Sequence, residues 1–231
     1  MSESLVLGDL TFELRRSSRR RTVGVTVERD GRLILTAPDD CPDDLIHRVA
    51  TEKRLWIYTK LAQKDALHSP APPKEYVSGE SFSYLGRGYR LRLVDPATQP
   101  QPLRLHQGRF LLRRDEQPRA AKHFAAWYSV HGTPWLQPRA ARLAERIGVS
   151  PVSIVVRNTG HQWGVCEPDG RVAIHWRTVQ FPPRIVDYVL AHELVHLLEP
   201  NHGPAFWARL ARLMPDFAVR KEWLAQHGAT A

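Results

Sequence analysis

Apolar and polar residues alternate in the first part of the chain, which is the pattern of a strand with one buried face. Valine occupies every second position of residues 23–27, and leucine does so again in residues 33–35, after Asp30-Gly31. Because side chains of a strand alternate between its two faces, these runs predict two strands, and the Asp-Gly pair predicts a type I′ hairpin turn between them.

Beyond this hairpin the apolar period lengthens to that of a helix. Apolar residues lie near helical spacing in the segment 42–67: Leu45, Val49, Trp56, Ile57 and Leu61. Pro42 lies at the start, where a helix tolerates proline. A short proline-rich connector, residues 68–75, precedes two strand-like runs at residues 81–95 and 102–114. We therefore predict a small β-rich N-terminal region with one helix over residues 1–116.

From about residue 117 the pattern indicates helices. Two helical stretches cover residues 118–130 and 138–149. Gly132 and Pro134 lie between them and are expected to break the helix, because proline removes a backbone donor and glycine favours the unfolded chain.

Three short strand-like runs and a final buried helix complete the second region. The runs lie at residues 152–158, 161–167 and 171–177. The last two are joined by Pro168-Asp169-Gly170, a typical turn sequence. The chain is therefore predicted to have an α+β fold, in which residues 117–231 form a second domain with a short antiparallel sheet.

The final helix carries two histidines and a glutamate. It begins at Pro182-Pro183 and is expected to end before Pro200, because the residue before a proline avoids the α region. His192 and His196 lie four residues apart, so their imidazoles stack one turn apart and can direct nitrogens at one metal ion. Glu193, next to the first histidine, can act as a general base on water at that ion.

A catalytic zinc site needs a third protein ligand, and His202 is the candidate. Six more residues of helix would turn it about 240° away from the ligand face. Pro200 prevents that continuation, and Asn201 tolerates unusual backbone angles, so the chain can turn back toward the ion. The sequence therefore predicts one zinc ion held by His192, His196 and His202.

Composition restricts the class of protein. Hydrophobic residues make up 42% and charged residues 25%, which is typical of a soluble globular chain. No apolar run reaches the roughly 18–20 residues that span a bilayer, and the N-terminal sequence lacks a signal-peptide pattern. Cys41 and Cys166, the two cysteines, lie far apart in no metal-binding spacing. We expect a cytoplasmic protein without a membrane partner.

The charge balance raises the question of a phosphate-bearing partner. The formal net charge is +9, and 27 of the 33 basic residues are arginines, which bind phosphate in a bidentate way. The densest run, residues 15–21, contains Arg19, Arg20 and Arg21. Two interpretations remain open: a surface for nucleic acid or nucleotide, or a solvated strand edge in a chain of arginine-rich composition.

The segment 157–207 resembles the YgjP-like metal-dependent hydrolases, a bacterial family related to the SprT and WLM zincin-type metallopeptidases. The likeness includes a Trp-Gly-x-Cys segment at 163–166, Trp-Arg at 176–177, and Asn-His before Phe-Trp in 201–207. Upstream, "APDDCP", "LWI" and "YLGRGYRL" also resemble the family, so the likeness covers nearly the whole chain. The family usually carries Arg and Ser where this chain has Gln162 and Val165.

What this resemblance implies agrees with the spacing of the histidines. It implies a zincin-like catalytic region with an HExxH helix, in which His192, His196 and His202 bind zinc and Glu193 is the base. The leading hypothesis is a zinc metallopeptidase that acts on peptide or protein substrates. The strand-like run 171–176 is then expected to be an edge to which an extended peptide adds.

Two alternative functions use the same metal site. Many arginines and a divalent ion also suit a nucleoside triphosphate pyrophosphatase or phosphohydrolase. A DNA-associated protease acting on DNA-bound proteins is the second alternative, with Arg19, Arg20 and Arg21 as candidate phosphate contacts.

Five further residues have both a functional and a purely structural interpretation. Glu199 is either a further ligand or an exposed carboxylate at the helix end, and Asp187 is a candidate for orienting a ligand. His161 and His175 either face the site or make ordinary hydrogen bonds. Cys166 is either a reactive thiol or a small buried hydrophobe.

Overall fold

The computed structural model describes residues 3–28, 32–55, 57–58, 61, 74–160 and 162–228. The predicted Asp30-Gly31 turn, Trp56, His161 and most of the 68–75 connector lie outside this range. Contacts divide the chain into two compact units, residues 1–70 and 71–231.

The first unit is a four-stranded sheet with a helix. Its strands follow the order β1-β2-β4-β3. Their bounds are β1 Glu3–Leu7, β2 Leu10–Arg16, β3 Gly24–Val27 and β4 Leu33–Ala37. The predicted strands around residues 23–35 are β3 and β4, which pair antiparallel, whereas β2 pairs parallel to β4.

The helix of the first unit covers its inner apolar face. Helix α1 spans Asp43–Glu52, directly after Pro42, and a turn at Lys53 interrupts the predicted helix before further helical residues. The most deeply buried side chains of this unit form one cluster: Phe12, Leu35, Ala37, Ile46, Ala50 and Ile57.

The second unit begins with another four-stranded sheet. Its order is β5-β6-β8-β7. The bounds are β5 Ser81–Tyr84, β6 Arg87–Val94, β7 Leu103–His106 and β8 Arg109–Arg113. Both predicted strand-like runs therefore form hairpins. Their tight turns, Leu85-Gly86 and Gln107-Gly108, have positive φ at both positions, as a type I′ turn requires.

A single long helix follows, where the sequence predicted two. Helix α2 spans Ala120–Ile147 without interruption, so the break expected at Gly132 and Pro134 was wrong. Gly132 lies so close to the next strand that a Cβ would meet Val156 Cγ2 at 3.1 Å and Val179 Cγ1 at 3.0 Å. The glycine therefore permits close packing, and the burial of apolar side chains along the helix overrides the local propensity.

The second sheet of this unit is mixed, whereas the sequence predicted an antiparallel sheet. Its strands, in the order β10-β11-β9, are β9 Ser153–Arg157, β10 Gly164–Cys166 and β11 Arg171–His175. Strand β10 pairs antiparallel to β11, but β9 pairs parallel to it. After β9 the chain forms β10 at the opposite edge of the sheet and then returns as β11 between β9 and β10. Strand β11 is therefore the central strand. The expectation that residues 171–176 form the free edge was therefore wrong.

Three helices complete the second unit. They are α3 Pro183–Val195, α4 Pro204–Leu213 and α5 Phe217–His227. Short 3₁₀ turns lie at Pro96–Thr98, Arg114–Arg119 and Thr178–Gln180. The described helices include none that is long and apolar enough to cross a membrane.

One apolar core runs through the second unit. Aromatic side chains of α2 pack on the first sheet: Phe124 lies 4.1 Å from Phe82 and Trp127 lies 4.8 Å from Phe110, between ring centroids. The same core includes buried residues of β9, β11, α3 and α4. Strands β5–β8 bury their apolar face against α2. The division between the compact units therefore lies at 70/71, earlier in the chain than the boundary predicted at 116/117.

Candidate metal centre

Helix α3 positions the first two histidines. It begins with Pro183 in its first turn, and its apolar residues are buried on most sides, including Ile185, Val186, Leu190 and Leu194. His192 and His196 are half-buried and lie one turn apart, with ring centroids separated by 4.9 Å. The spacing of four residues thus brings both imidazoles to one side of the helix end, as expected.

The turn after α3 brings the third histidine back to this side. The helix ends at Val195, and α4 starts at Pro204 after Gly203. In the intervening loop, His202 Nε2 lies 2.8 Å from His192 Nε2, and His196 Nε2 lies 3.3 Å from the same atom. The three imidazoles, each offering one ligand atom, therefore form a cluster within 4.8 Å.

Hydrogen bonds hold the ring of His196 and the loop that carries His202. His196 Nδ1 lies 3.0 Å from the carbonyl oxygen of Glu199, to which it donates, so its Nε2 keeps a lone pair. The indole Nε1 of Trp207 donates to the carbonyl of His202 at 3.0 Å and holds the loop. A metal-binding histidine commonly donates its second ring N–H to a carbonyl or carboxylate oxygen, as His196 does to Glu199.

The electrostatics of the cluster favour neutral imidazoles. Burial and the neighbouring histidines lower the pKa of His192 to about 3, and burial also lowers the pKa of His202. Neutral imidazole is the form that binds a metal ion, since the lone pair must be free. Lys221 adds to the effect, because its positive charge lowers both pKa values further.

These residues fit a divalent ion. The Nε2 atoms of His196 and His202 lie 3.3 and 2.8 Å from that of His192, at distances at which the nitrogens either share a proton or bind one positive ion together. His192 Nδ1 is buried and has no hydrogen-bond partner among the described residues. The contacts of this ring through nitrogen are therefore those of its Nε2 atom. Zinc with Zn–N distances of about 2.0–2.1 Å places tetrahedral ligands roughly 3.3 Å apart. The separation of His192 Nε2 from His196 Nε2 is also 3.3 Å, and that from His202 Nε2 is shorter.

Glu193 lies on the same helix, facing the edge strand β10. It is only 7% exposed, and burial raises its pKa to about 8, although the Cys166 backbone N–H donates to its carboxylate and lowers the pKa in part. Gly164 makes room for this carboxylate: a Cβ at that position would meet Glu193 Cγ at 2.6 Å and Oε1 at 2.9 Å. The strand therefore defines the position of Glu193.

We expect Gly164→Ala to displace the Glu193 carboxylate, and for a side chain that acts on a substrate a shift of about 1 Å lowers the activity about 100-fold. The added methyl group must displace the Glu193 side chain, whereas the three histidines keep their positions. The measurement is kcat/KM together with zinc content. Gly88→Ala in β6 is the matched control, since its Cβ would meet only Ser81 Oγ, at 3.2 Å. Unchanged activity in Gly164→Ala at full zinc content would show that Gly164 does not control the position of Glu193.

Glu199, Asp187 and His175, the other residues singled out in the sequence, have side-chain partners outside the histidine cluster. The Glu199 carboxylate pairs with Arg209 at 2.9 Å, and only its carbonyl contacts His196. Asp187 pairs with Arg139 at 3.2 Å rather than with a histidine of the cluster. His175 is buried on β11, where its Nδ1 accepts from the Arg177 backbone N–H.

Three further groups lie near the cluster, and the sequence had not assigned any of them a role there. Gly164 and Trp207 belong to the Trp-Gly-x-Cys and Phe-Trp segments, so the family likeness was a signal that could have identified them. Lys221 on α5 had no such signal. Its Nζ lies 4.5 Å from the centroid of the Trp207 ring, and that ring stacks on His202.

Comparison with known proteins gives one match. The family model described as YgjP-like, metallopeptidase domain, matches residues 21–227. Neither a curated protein nor a solved structure matches the chain. The matched range covers most of both compact units and includes the three histidines and Glu193. The chain therefore belongs to the YgjP-like metallopeptidase family.

Proposed function

We propose that this protein is a zinc-dependent metallopeptidase with a zincin-like active site in residues 117–231. The observation that carries the proposal is a cluster of three imidazoles at the end of α3 and in the loop after it, beside the buried Glu193, in a chain of a metallopeptidase family. In this proposal His192, His196 and His202 hold the ion. Three neutral nitrogen ligands suit zinc and leave a fourth position for water or substrate.

Glu193 is the proposed general base. When bound, the zinc ion polarises a carbonyl oxygen and makes water more acidic. The positive charge of a bound divalent ion would lower the raised pKa of Glu193, so that its carboxylate can accept a proton from the attacking water and then donate it to the leaving nitrogen. Gly164 and the Cys166 N–H hold the carboxylate in position. The buried surroundings strengthen these interactions because little water competes there.

A peptide substrate also fits the position of β10. This strand is one of the two edges of its sheet, and its residues Gly164 and Cys166 lie beside Glu193. An extended peptide can pair with an exposed strand through main-chain hydrogen bonds, which place a scissile bond without demanding particular side chains. Lys221 adds a positive charge near the histidines, with its Nζ 4.5 Å from the Trp207 ring that stacks on His202.

The test is a substrate screen with the zinc-loaded protein. We expect new termini in a peptide library derived from a bacterial proteome, identified by mass spectrometry. Chelation should abolish the cleavage, and added zinc should restore it. Nucleoside triphosphates form the parallel arm: zinc-dependent release of phosphate or pyrophosphate without any peptide cleavage would contradict the peptidase proposal. It would favour a phosphohydrolase instead.

A further inference from the structure

A second cavity lies on another side of α3, away from the histidines. It has a volume of about 360 Å³, within the roughly 300–1,000 Å³ typical of small-molecule sites. Arginines from two helices line it, together with Asp187 and Asp216. Asp187 precedes His192 by five residues, which corresponds to roughly 140° around the helix axis. The two sites therefore use different faces of α3.

The arginines of this cavity come from separate parts of the second unit. Arg139, Arg142 and Arg146 lie at spacings of three and four residues, which places them on one face of α2. Arg220 comes from α5. Arg139 pairs with Asp187 at 3.2 Å, and the charges of Arg142 and Arg220 also lower the pKa of this carboxyl.

Contacts within the protein hold three of these side chains in place. Arg139 pairs with Asp187 and lies over the Trp135 ring at 4.0 Å. Arg146 donates to the Leu213 carbonyl at 3.0 Å. Arg220 pairs with Asp216 at 2.9 Å and donates to the Arg184 carbonyl at 2.8 Å. Each guanidinium has five N–H donors, so these contacts orient the groups and leave donors for a ligand.

Arg142 differs from the other three. It is exposed, and no hydrogen bond or ion pair joins it to another residue in the described part of the chain; it acts on Asp187 only at longer range. Four guanidinium groups thus face two carboxylates, which leaves an excess of two positive charges in a concave site. A charge excess in a cleft attracts anions.

A smaller cavity extends the basic surface. It has a volume of about 130 Å³ and shares Arg146 and Leu213 with the 360 Å³ cavity. Arg209 and Arg212 line it as well. Arg146 therefore lies between two adjoining basic sites, an arrangement that suits a ligand with more than one phosphate group, because planar guanidinium groups bind phosphate oxygens in pairs.

We propose that this arginine-lined cavity binds a small ligand that carries one or two phosphate groups, at a site separate from the metal centre. A concave site of this size encloses a phosphate or diphosphate group, whereas a nucleic-acid backbone needs an extended surface. This inference is independent of the proposed peptidase activity, since none of the lining residues is one of the three histidines or Glu193.

The test uses inorganic pyrophosphate as the probe, with calorimetric titration of the full chain at constant ionic strength. We expect saturable binding with one ligand per chain. Arg142→Ala should weaken it at least tenfold, because charge-assisted hydrogen bonds to the phosphate are lost. Arg142→Lys should recover part of the affinity, since it restores the charge without the fork of donors. Arg109→Ala in β8 removes an exposed arginine elsewhere and should have no effect.

A further variant separates the two sites. His202→Ala impairs the proposed zinc site and should leave pyrophosphate binding unchanged, so a loss of binding there would place the ligand at the metal centre and overturn the proposal. Equal losses in Arg142→Ala and Arg109→Ala would also overturn it. Absence of binding at about 1 mM pyrophosphate would overturn it as well, because a Kd above that concentration is too weak for a specific site. Arg142-dependent binding of duplex DNA without pyrophosphate binding would indicate a nucleic-acid surface instead.

Discussion

His202→Ala is expected to lower the affinity for zinc by more than 100-fold, which exceeds the roughly 10–100-fold loss typical of changes to residues that only support a ligand. The variant loses one of three imidazoles, and His192 Nε2 loses its neighbour at 2.8 Å. His202 is exposed in a loop, so its removal leaves the core of the unit intact. The purified wild type should contain near-stoichiometric zinc, and the variant little or none.

Elemental analysis without added metal is the measurement. His106→Ala is the matched control, because this histidine is exposed on β7 and lies outside the cluster. Full zinc content in His202→Ala would show that the third ligand is another group. A wild type purified without metal, and unable to bind added zinc, would contradict the whole ligand assignment.

Glu193→Gln is expected to lower kcat about 1,000-fold while the protein keeps its zinc, because general bases contribute roughly 10²–10⁴-fold to rates. A factor of 1,000 corresponds to about 4 kcal/mol of transition-state stabilisation. Glutamine has nearly the same size and still accepts from the Cys166 N–H, but an amide cannot take a proton from water. The loss should therefore appear in kcat rather than in zinc content or folding.

The measurement is the steady-state rate of zinc-loaded protein on a substrate from the peptide screen. Glu145→Gln, at an exposed position of α2, removes a comparable carboxylate away from the site and should keep full activity. If Glu193→Gln retained wild-type kcat at full zinc content, another residue would have to move the proton.

Local patterns predicted the strands from β3 onward and the cluster of histidines, whereas β1 and β2 were not predicted. Residues 81–95 and 102–114 were predicted as strand-like runs, and each forms a pair of antiparallel strands joined by a tight turn. His192 and His196 meet because four residues complete one helical turn, and Pro200 with Asn201 allowed the return of His202 to be predicted. In each case the information lies within a few residues of chain.

Features that depend on distant contacts were not predictable in this way. Whether Gly132 ends a helix or allows close approach depends on Val156 and Val179, which no pattern within α2 reveals. The central position of β11 depends on where the chain crosses the sheet, because the same alternation suits an edge strand and an inner strand. The role of Gly164 likewise depends on the Glu193 side chain, which lies on a later helix.

Helix α2 has a consequence for how the second unit loses its structure. Its side chains pack on the sheet of β5–β8 through Phe124, and its backbone approaches β9 at Gly132. Neither sheet can detach without exposing the apolar surface of this helix to water. The backbone amides of both sheets should therefore exchange hydrogen with solvent through one global opening rather than two separate ones. Substitutions in the strands of β5–β8, far from the histidines, would then change the rate at which the histidine cluster is disrupted by global unfolding.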